Sequence, residues 1–226
     1  MKFLEWIGRV LLRALEELGR FFQMLGQTAG WSIRPPFDVP ELFRQMVRVG
    51  VDSVPVVFLT TLFTGMVLAL QTYHGFARFH AEGFVGSVVA LSLTRELAPV
   101  LTALMVTGRV GSAMAAELGT MRVTEQIDAL TALGTEPVQY LVAVQLFGAN
   151  PITYTDNSFQ FLELSDVTSG IVKAAVFGLI FSLVACVRGY YTEGGAEGVG
   201  RSTTRAVVGG SLSILFADFF LTKLLF

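Results

Sequence analysis

An all-α integral membrane protein is the fold class that this sequence predicts, and three observations support it. Of 226 residues, 53% are hydrophobic and only 15% are charged, whereas an average soluble domain has about 25% charged residues. Mean hydropathy is +0.62. Four apolar segments of helical character follow an amphipathic N-terminal stretch. We therefore expect an interfacial amphipathic helix followed by a multi-span helical bundle.

The charge and the rare residue types narrow the function. The formal net charge of −2 at pH 7 indicates neither a nucleic acid nor an acidic partner. The single cysteine, Cys186, excludes an intrachain disulfide and a multi-cysteine metal site. His74 and His80 flank a short loop with no acidic cluster at ligand spacing, so we expect no metal site.

Residues 1–53 are predicted to form N-terminal amphipathic helices. Charged residues within the first twenty positions interrupt the apolar core that a signal peptide needs. Apolar residues recur there at helical spacing: Phe3, Ile7, Val10, Leu11, Ala14, Leu15, Leu18, Phe21 and Phe22. This pattern predicts a helix lying in the membrane interface; the alternative is a helix packed on a soluble partner. Pro35-Pro36 should end this helix, and Asp38 should cap a second, short one.

Residues 54–226 are predicted to form the membrane domain. The segment 54–73 has 20 residues without a charge, which is enough for one span. The other apolar segments carry a few charges each, and they cover residues 84–118, 167–187 and 206–226.

Lysine and arginine predict the orientation. Residues 1–53 carry seven of them, and the segment 188–205 carries three, whereas the loop 74–83 has one and 145–166 has none. By the positive-inside rule, the N-terminus, residues 119–137 and residues 188–205 lie in the cytoplasm.

This orientation leaves one crossing unaccounted for. An even number of spans must separate Arg122 from Arg188, and 167–187 supplies one. The remaining candidate, 138–149, would be about 18 Å long as a helix, too short for a hydrocarbon core of about 30 Å. We therefore predict that the natural protein has about 25–30 more residues between Val144 and Gln145, forming most of a further span.

Charged residues inside the apolar segments are the first candidate site. In "LTRELAPV", residues 93–100, Arg95 and Glu96 are adjacent, and an intramembrane charge is costly unless it is partnered or faces a cavity. Neighbouring residues point about 100° apart on a helix, so both cannot face one narrow cavity. Lys173 and Asp218 are candidates for the same polar network, and purely structural ion pairing is the alternative. Pro99 should free a backbone carbonyl near Arg95 and kink the helix.

The stretch "AELGTMRVTEQIDALTALGTEP", residues 116–137, is the second candidate site. Gly119 is expected to break the long span, and 124–132 to form a short helix that ends at Gly134 and Pro137. One face is apolar and suits a groove on a soluble partner, with polar residues beside it. An ordinary connector is the alternative. The residues concerned are Arg122, Val123, Glu125, Ile127, Asp128 and Leu130.

A third stretch imitates a nucleotide-binding motif. "GAEGVGRS", residues 195–202, has the glycine spacing of a phosphate-binding loop, but such a loop needs a preceding strand. A membrane span precedes it here. We interpret the stretch as a tight Gly-rich turn before the last span.

Three longer passages resemble the MlaE/YrbE family of ABC-transporter permeases. They are "ALSLTRELAPVLTALMVTGRVGSAMAAELGTMRVTEQIDAL", "GGAEGVGRSTTRAVV" and the ending "DFFLTKLLF", and the resemblance covers about residues 40–144 and 150–226. It implies a homodimeric permease with an interfacial N-terminal helix, five spans per subunit and a coupling helix at about 119–134. The family's third span, expected between Tyr140 and Phe147, is largely lacking here.

The resemblance also implies a function and partners. A non-enzymatic permease would move phospholipids between the bacterial inner membrane and periplasmic MCE-domain carriers, maintaining outer-membrane lipid asymmetry. ATP and Mg²⁺ would be held by a separate cytoplasmic ABC ATPase dimer, often accompanied by a STAS-domain protein, and this chain would bind no cofactor. We also predict that at least one of Arg95 and Glu96 lines a central lipid space at the dimer interface while the other pairs within the bundle. The resemblance makes 119–134 the contact with the ATPase.

Two functions of other classes stay open on the sequence alone. One is an ion-coupled secondary transporter that uses Arg95, Glu96, Lys173 and Asp218 as a charge relay. The other is a membrane scaffold without transport of its own.

Overall fold

The computed structural model describes residues 2–31, 39–134, 136–143 and 164–225, and this part of the chain is helical without a β-strand. The α-helices are α1 (Lys2–Trp31), α2 (Val39–Val49), α3 (Val54–Ala77), α4 (Val85–Ser92), α5 (Ala98–Val106), α6 (Ser112–Val123), α7 (Gln126–Ala132), α8 (Leu164–Tyr190) and α9 (Gly195–Leu225).

Four helical stretches in the described residues are long and apolar enough to cross a membrane, judged by length and composition: Phe43–Ala77, Glu82–Val123, Thr168–Tyr190 and Gly195–Leu225. Each exceeds the roughly 20 residues that a helical span needs. The predicted fold class, an all-α membrane protein, is confirmed.

The second of these stretches is one long helix with two interruptions. A π-helical turn, Leu93–Leu97, joins α4 to α5, and another, Thr107–Gly111, joins α5 to α6. Hydroxyl groups satisfy backbone carbonyls around both turns: Thr94 donates to Ala90, and Thr107 donates to Ala103 at 2.6 Å. The first turn lies directly before Pro99, where the sequence predicts an irregularity.

Glycines set how closely α8 approaches the long helix. A Cβ on Gly170 would lie 3.4 Å from the carbonyl oxygen of Thr94, and one on Gly189 would lie 2.7 Å from Leu118 Cβ. Residue numbers on the two helices rise together along this contact. Helix α8 therefore runs parallel to α4–α6.

Helices α3 and α9 run in the opposite direction to the long helix. A Cβ on Gly65 of α3 would lie 3.3 Å from Leu93, and one on Gly210 of α9 would lie 2.8 Å from Thr107. The bundle thus has two ends. We call the end with Arg48, Arg122 and Arg188 the basic end, and the end with the last turns of α3 and α9 the distal end.

The direction of α8 is relevant to the further membrane span that we predict between Val144 and Gln145. Val138 and Val142, on a π-helical turn at Val138–Ala143, pack with Leu118 and Cys186 at the basic end. Helix α8 begins at the distal end. The described residues before and after the range 144–163 therefore lie at opposite ends of the bundle, as a further span would require. The junction itself is outside the described residues.

Helix α1 is amphipathic, as the sequence predicts, and longer than its apolar pattern suggested. Met24 and Thr28 are buried, and the helix packs against α8 and the turn at 138–143. Its exposed apolar side chains include Ile7, Leu11, Leu15, Leu18 and Phe22. Such a stripe is the composition that an interfacial helix needs, and that location stays a prediction. Pro35, Pro36 and Asp38 lie outside the described residues.

Two local predictions were wrong. Gly119 does not break the long helix, which continues to Val123; a Cβ at Gly119 would lie 3.0 Å from Thr192 Oγ1, so the glycine serves close packing. The stretch 195–202 is not a turn but the start of α9. The turn lies just before it, where Gly194 has a φ of 91°.

Candidate functional site

Lys173 is the centre of a polar cluster inside the bundle. Its side chain is 0% exposed. The ammonium donates hydrogen bonds to Glu96 Oε2 at 2.7 Å, Thr222 Oγ1 at 2.8 Å and the carbonyl of Arg95 at 3.1 Å. A lysine ammonium has three N–H donors, and these acceptors suffice to occupy them. A charge buried this deeply persists because it is paired and hydrogen-bonded.

Asp218 adds a second carboxylate to the cluster. Its Oδ1 lies 3.2 Å from Lys173 Nζ, yet within the described residues this oxygen accepts no hydrogen bond. The attraction between these two groups is therefore Coulombic. Thr222 lies one turn after Asp218, and its hydroxyl group is 2.8 Å from the backbone carbonyl of Asp218 and 3.1 Å from Glu96 Oε1.

Pro99 explains why a backbone carbonyl joins the cluster. Proline has no N–H to donate to the carbonyl four residues earlier, which is that of Arg95. Lys173 donates to this carbonyl instead. The expectation that Pro99 frees a carbonyl near Arg95 is confirmed, and the close approach of α8 at Gly170 brings Lys173 within reach.

The cluster unites residues that are far apart in the sequence. Glu96 comes from the first π-helical turn, Lys173 from α8, and Asp218 and Thr222 from α9. Glu96 pairs with Lys173 within the bundle, as we expect for one of the two adjacent charged residues. The side chain of Arg95 is half-buried, and its place beside a lipid space stays a prediction.

An open groove lies on α3 towards the distal end. Its volume is about 560 Å³, and the described residues that line it are Val67, Leu70, Gln71, His74, Gly75 and Arg78. Along α3 the aliphatic residues, Val67 and Leu70, come first, and the polar residues that follow them form the distal rim. The sequence does not predict this groove because single polar residues near a helix end have no distinctive spacing. Nor does the sequence indicate that Thr222 belongs to the polar cluster, because a threonine in an apolar helix is common.

The candidate coupling helix lies at the basic end. Glu125 adopts a left-handed φ of 60°, which turns the chain from α6 into α7. Arg122 Nη1 binds Asp128 Oδ1 at 2.6 Å across this turn. The helical part, Gln126–Ala132, is shorter than the expected 119–134 because α6 keeps the first residues of that range.

One residue of this site is buried inside the subunit. Ile127 is 1% exposed and packs within the subunit, so it is not presented to a partner in this conformation. Leu130 is half-buried. The exposed apolar side chains are Val123 at 36% and Leu133 at 80%. Periodicity placed Ile127 on an apolar face but did not show that the bundle itself covers that face.

Comparison with known proteins decides the family. The chain matches the family model described as "Permease MlaE" over residues 42–149 and 139–224. It belongs to the MlaE permease family. It is therefore the permease component of an ABC transporter and an integral membrane protein.

Full-length relatives agree with this assignment. The chain is 45% identical to a "Probable ABC transporter permease protein" of Rickettsia bellii (strain RML369-C), covering 97% of this chain and 96% of that one. It is 34% identical to the "Intermembrane phospholipid transport system permease protein MlaE" of Haemophilus influenzae (strain ATCC 51907 / DSM 11121 / KW20 / Rd), covering 100% and 98%. It is 37% identical to the chloroplastic "Protein TRIGALACTOSYLDIACYLGLYCEROL 1" of Arabidopsis thaliana, covering 81% and 61%.

Two of these alignments, with the R. bellii and H. influenzae proteins, are longer than the chain. The alignment with the H. influenzae protein runs over 259 positions and covers 100% of this chain, which has 226 residues. That relative therefore has residues without a counterpart here, similar in number to the predicted further span. The two family matches meet between residues 139 and 149, the region in which we predict that span.

Proposed function

We propose that this permease moves phospholipids between the bacterial inner membrane and a periplasmic MCE-domain carrier, and so maintains outer-membrane lipid asymmetry. The observation that carries the proposal is the cluster of Glu96, Lys173, Asp218 and Thr222 inside apolar helices. The printed function of the H. influenzae relative, intermembrane phospholipid transport, supports the same substrate class.

A phospholipid suits both features of the distal end. Its acyl chains need an apolar surface, which the exposed side chains of α3 and α9 supply, Leu70 and Phe216 among them. Its headgroup needs charged and hydrogen-bonding partners, which the cluster and the polar rim of the groove supply. In the proposed mechanism, Arg95 faces the lipid while Glu96 and Lys173 hold the helices around it.

The ion-coupled alternative loses its support at this point. A secondary transporter draws on an ion gradient, whereas an ABC permease works with an ATPase, and the chain belongs to an ABC permease family. The membrane-scaffold alternative predicts no transport and is tested by the experiment below.

The proposed assembly follows from the same family. Two copies of this chain form the permease, with the N-terminus and the basic end in the cytoplasm, as the positive-inside rule predicts. The interfacial helices (1–53) flank the membrane domain (54–226). A cytoplasmic ATPase dimer, which holds ATP and Mg²⁺, docks at 119–134 through Val123 and Leu133, with Arg122, Glu125 and Asp128 around them. An MCE-domain protein, and also a STAS-domain protein on the ATPase, complete the complex.

Charge reversal at Glu96 tests the proposal. The purified complex is reconstituted in vesicles, and ATP-dependent transfer of labelled phospholipid to the carrier is measured. Glu96→Arg places a second cation beside Lys173 and should abolish transfer, while a pull-down still recovers the ATPase. The matched control is Glu197→Arg, because this carboxylate is exposed and lies at the opposite end. Full transfer by Glu96→Arg, or none by the unaltered complex, contradicts the proposal.

A further inference from the structure

Arg109 occupies the second π-helical turn of the long helix and is not used by the cluster at Lys173. Its Nη1 donates to Ser53 Oγ at 2.6 Å and to the carbonyl of Arg48 at 3.4 Å. Its Nη2 lies 3.7 Å from Asp52 Oδ2. One guanidinium group thus contacts Arg48 near the end of α2 and both Asp52 and Ser53 in the bend between α2 and α3.

The bend contacted by Arg109 is itself firmly placed. Ser53 is buried, and its hydroxyl donates to the carbonyl of Val49 at 2.7 Å. A short 3-10 helix, Val51–Ser53, connects α2 to α3 there. Arginine presents its donors in a rigid fork, so the contact fixes both the distance and the direction between the bend and the long helix.

The opposite side of the same π-helical turn packs tightly against α8 and α9. Thr107 and Gly111 are buried. A Cβ on Gly111 would lie 3.7 Å from Phe181, and Gly210 of α9 leaves room for Thr107. The turn is therefore held from two sides: by small residues in the bundle and by Arg109 at the bend.

The second π-helical turn lies between the polar cluster at Lys173 and the candidate coupling helix α7. It is about 20 Å along the helix from Glu96 and about 25 Å from the start of α7. π-Helical turns often occur at functional sites, and kinks in helices often lie at them. Along the long helix, movement that begins at α7 passes this joint before it reaches Glu96.

We propose that Arg109 is a positioning residue that couples movement of α6 and α7 to the lipid site by anchoring the second π-helical turn to the α2–α3 bend. The inference rests on the proposed transport function. Without the anchor, the turn absorbs the movement of α7, and ATP is hydrolysed with little lipid moved.

The test measures lipid transferred per ATP hydrolysed by the reconstituted complex. Arg109→Gln should leave the ATPase rate within about twofold and lower lipid per ATP by about tenfold, the order expected for a residue that carries coupling. Arg109→Lys should restore part of the coupling, because its ammonium still reaches one acceptor. Ser53→Ala should resemble Arg109→Gln, and the double variant should be no worse than either, as expected for partners in one contact.

A second measurement, the labelling of an introduced cysteine, does not depend on which molecule is transported. Phe84 is exposed at the distal start of the long helix, and the native Cys186 is fully buried. In a Phe84→Cys background, the rate of maleimide labelling should change when ATP is added, and Arg109→Gln should remove that change. The matched control is Arg48→Gln, which keeps the carbonyl used by Arg109 and loses only a 3.9 Å contact with Glu117; it should behave like the parent.

The outcomes separate the two proposals. If the parent complex moves no phospholipid but shows the ATP-dependent labelling change, and Arg109→Gln abolishes it, the transport proposal fails and the coupling role stands. If Arg109→Gln keeps both the labelling change and lipid per ATP, the coupling role is overturned. It is also overturned if ATPase rate and transfer fall in parallel and Arg109→Lys restores neither, because that pattern indicates a structural role only.

Discussion

Two ion pairs at opposite ends of the molecule have the same length and different surroundings. Lys173 Nζ lies 2.7 Å from Glu96, and Arg188 Nη1 lies 2.7 Å from Glu17. The Lys173 side chain is 0% exposed, whereas those of Arg188 and Glu17 are 26% and 53% exposed. The distance between the charged groups therefore does not by itself indicate how much either pair contributes to the free energy of folding.

The Lys173–Glu96 pair, towards the distal end, is stabilised by groups from three helical elements. Removing a charge from water costs several kcal/mol unless hydrogen bonds and a counter-charge replace the water. Lys173 obtains them from a carboxylate, a hydroxyl and a carbonyl that Pro99 leaves available. Removal of the buried Lys173 leaves Glu96, 36% exposed, and Asp218, 21% exposed, close together without a counter-charge, so we expect the larger effects there.

The pair at the basic end is a clamp on a partly wet surface. Arg188 binds both oxygens of Glu17, at 2.7 and 2.9 Å, and Arg20 lies 4.9 Å from the centre of the Tyr191 ring. These contacts hold α1 against the end of α8. Exposed pairs contribute about 0–1 kcal/mol, so we expect small effects there.

The largest expected effect follows the loss of the buried cation. Lys173→Met leaves Glu96 and Asp218 close together without a counter-charge and should lower the stability of the permease by about 3–5 kcal/mol. Thermal unfolding in detergent measures this, with the exposed Lys223→Met as control. Adding Glu96→Gln and Asp218→Asn should recover much of the stability but no lipid transfer. An unchanged unfolding temperature for Lys173→Met would show that the cluster is not energetically important.

The second effect tests burial at the basic end. Ile127→Asp puts a carboxylate into a buried site and should destabilise the subunit by more than about 3 kcal/mol. Leu133→Asp changes an exposed residue and should leave stability unchanged while weakening ATPase binding in a pull-down. If Ile127→Asp leaves unfolding unchanged but releases the ATPase, Ile127 is a contact residue after all.

The third prediction concerns pH and the clamp. The hydrogen bond from Arg188 lowers the pKa of Glu17 below its ordinary value of 4.5. Because the pKa is lowered in the folded state, the clamp stabilises fully above pH 4.5 and loses its effect as pH falls through the lower folded value. Glu17→Gln should therefore cost up to about 1 kcal/mol at neutral pH, and the difference should shrink below pH 4.5. A difference that grows on acidification contradicts this assignment.

The smallest effect is expected at an exposed pair that is short but well hydrated. Arg122 and Asp128 are 2.6 Å apart but 37% and 59% exposed, so Asp128→Asn should change stability by less than about 0.5 kcal/mol. It should also leave ATPase recovery in a pull-down unchanged. Loss of the ATPase from Asp128→Asn would show that this carboxylate contacts the partner directly.

The sequence by itself determined the helices, the membrane and the family. Apolar runs and helical periodicity are local properties, so they located α1, α3, α8 and most of α9 and the long helix. Proline chemistry is local too, which is why Pro99 predicted that a backbone carbonyl near Arg95 would be available to another group, and Lys173 donates to it. The clustering of lysine and arginine predicted which helix ends belong together.

The tertiary structure decided which neighbours each residue meets. Lys173 finds its acceptors on the first π-helical turn and on α9, and no spacing in the chain encodes those distances. Gly119 stays helical because Thr192 lies against it, and Ile127 is buried because the bundle covers its face. Arg109 gained its role from the bend at Ser53, more than fifty positions earlier in the chain. A periodic pattern tells which side of a helix avoids water, but only packing determines what covers that side.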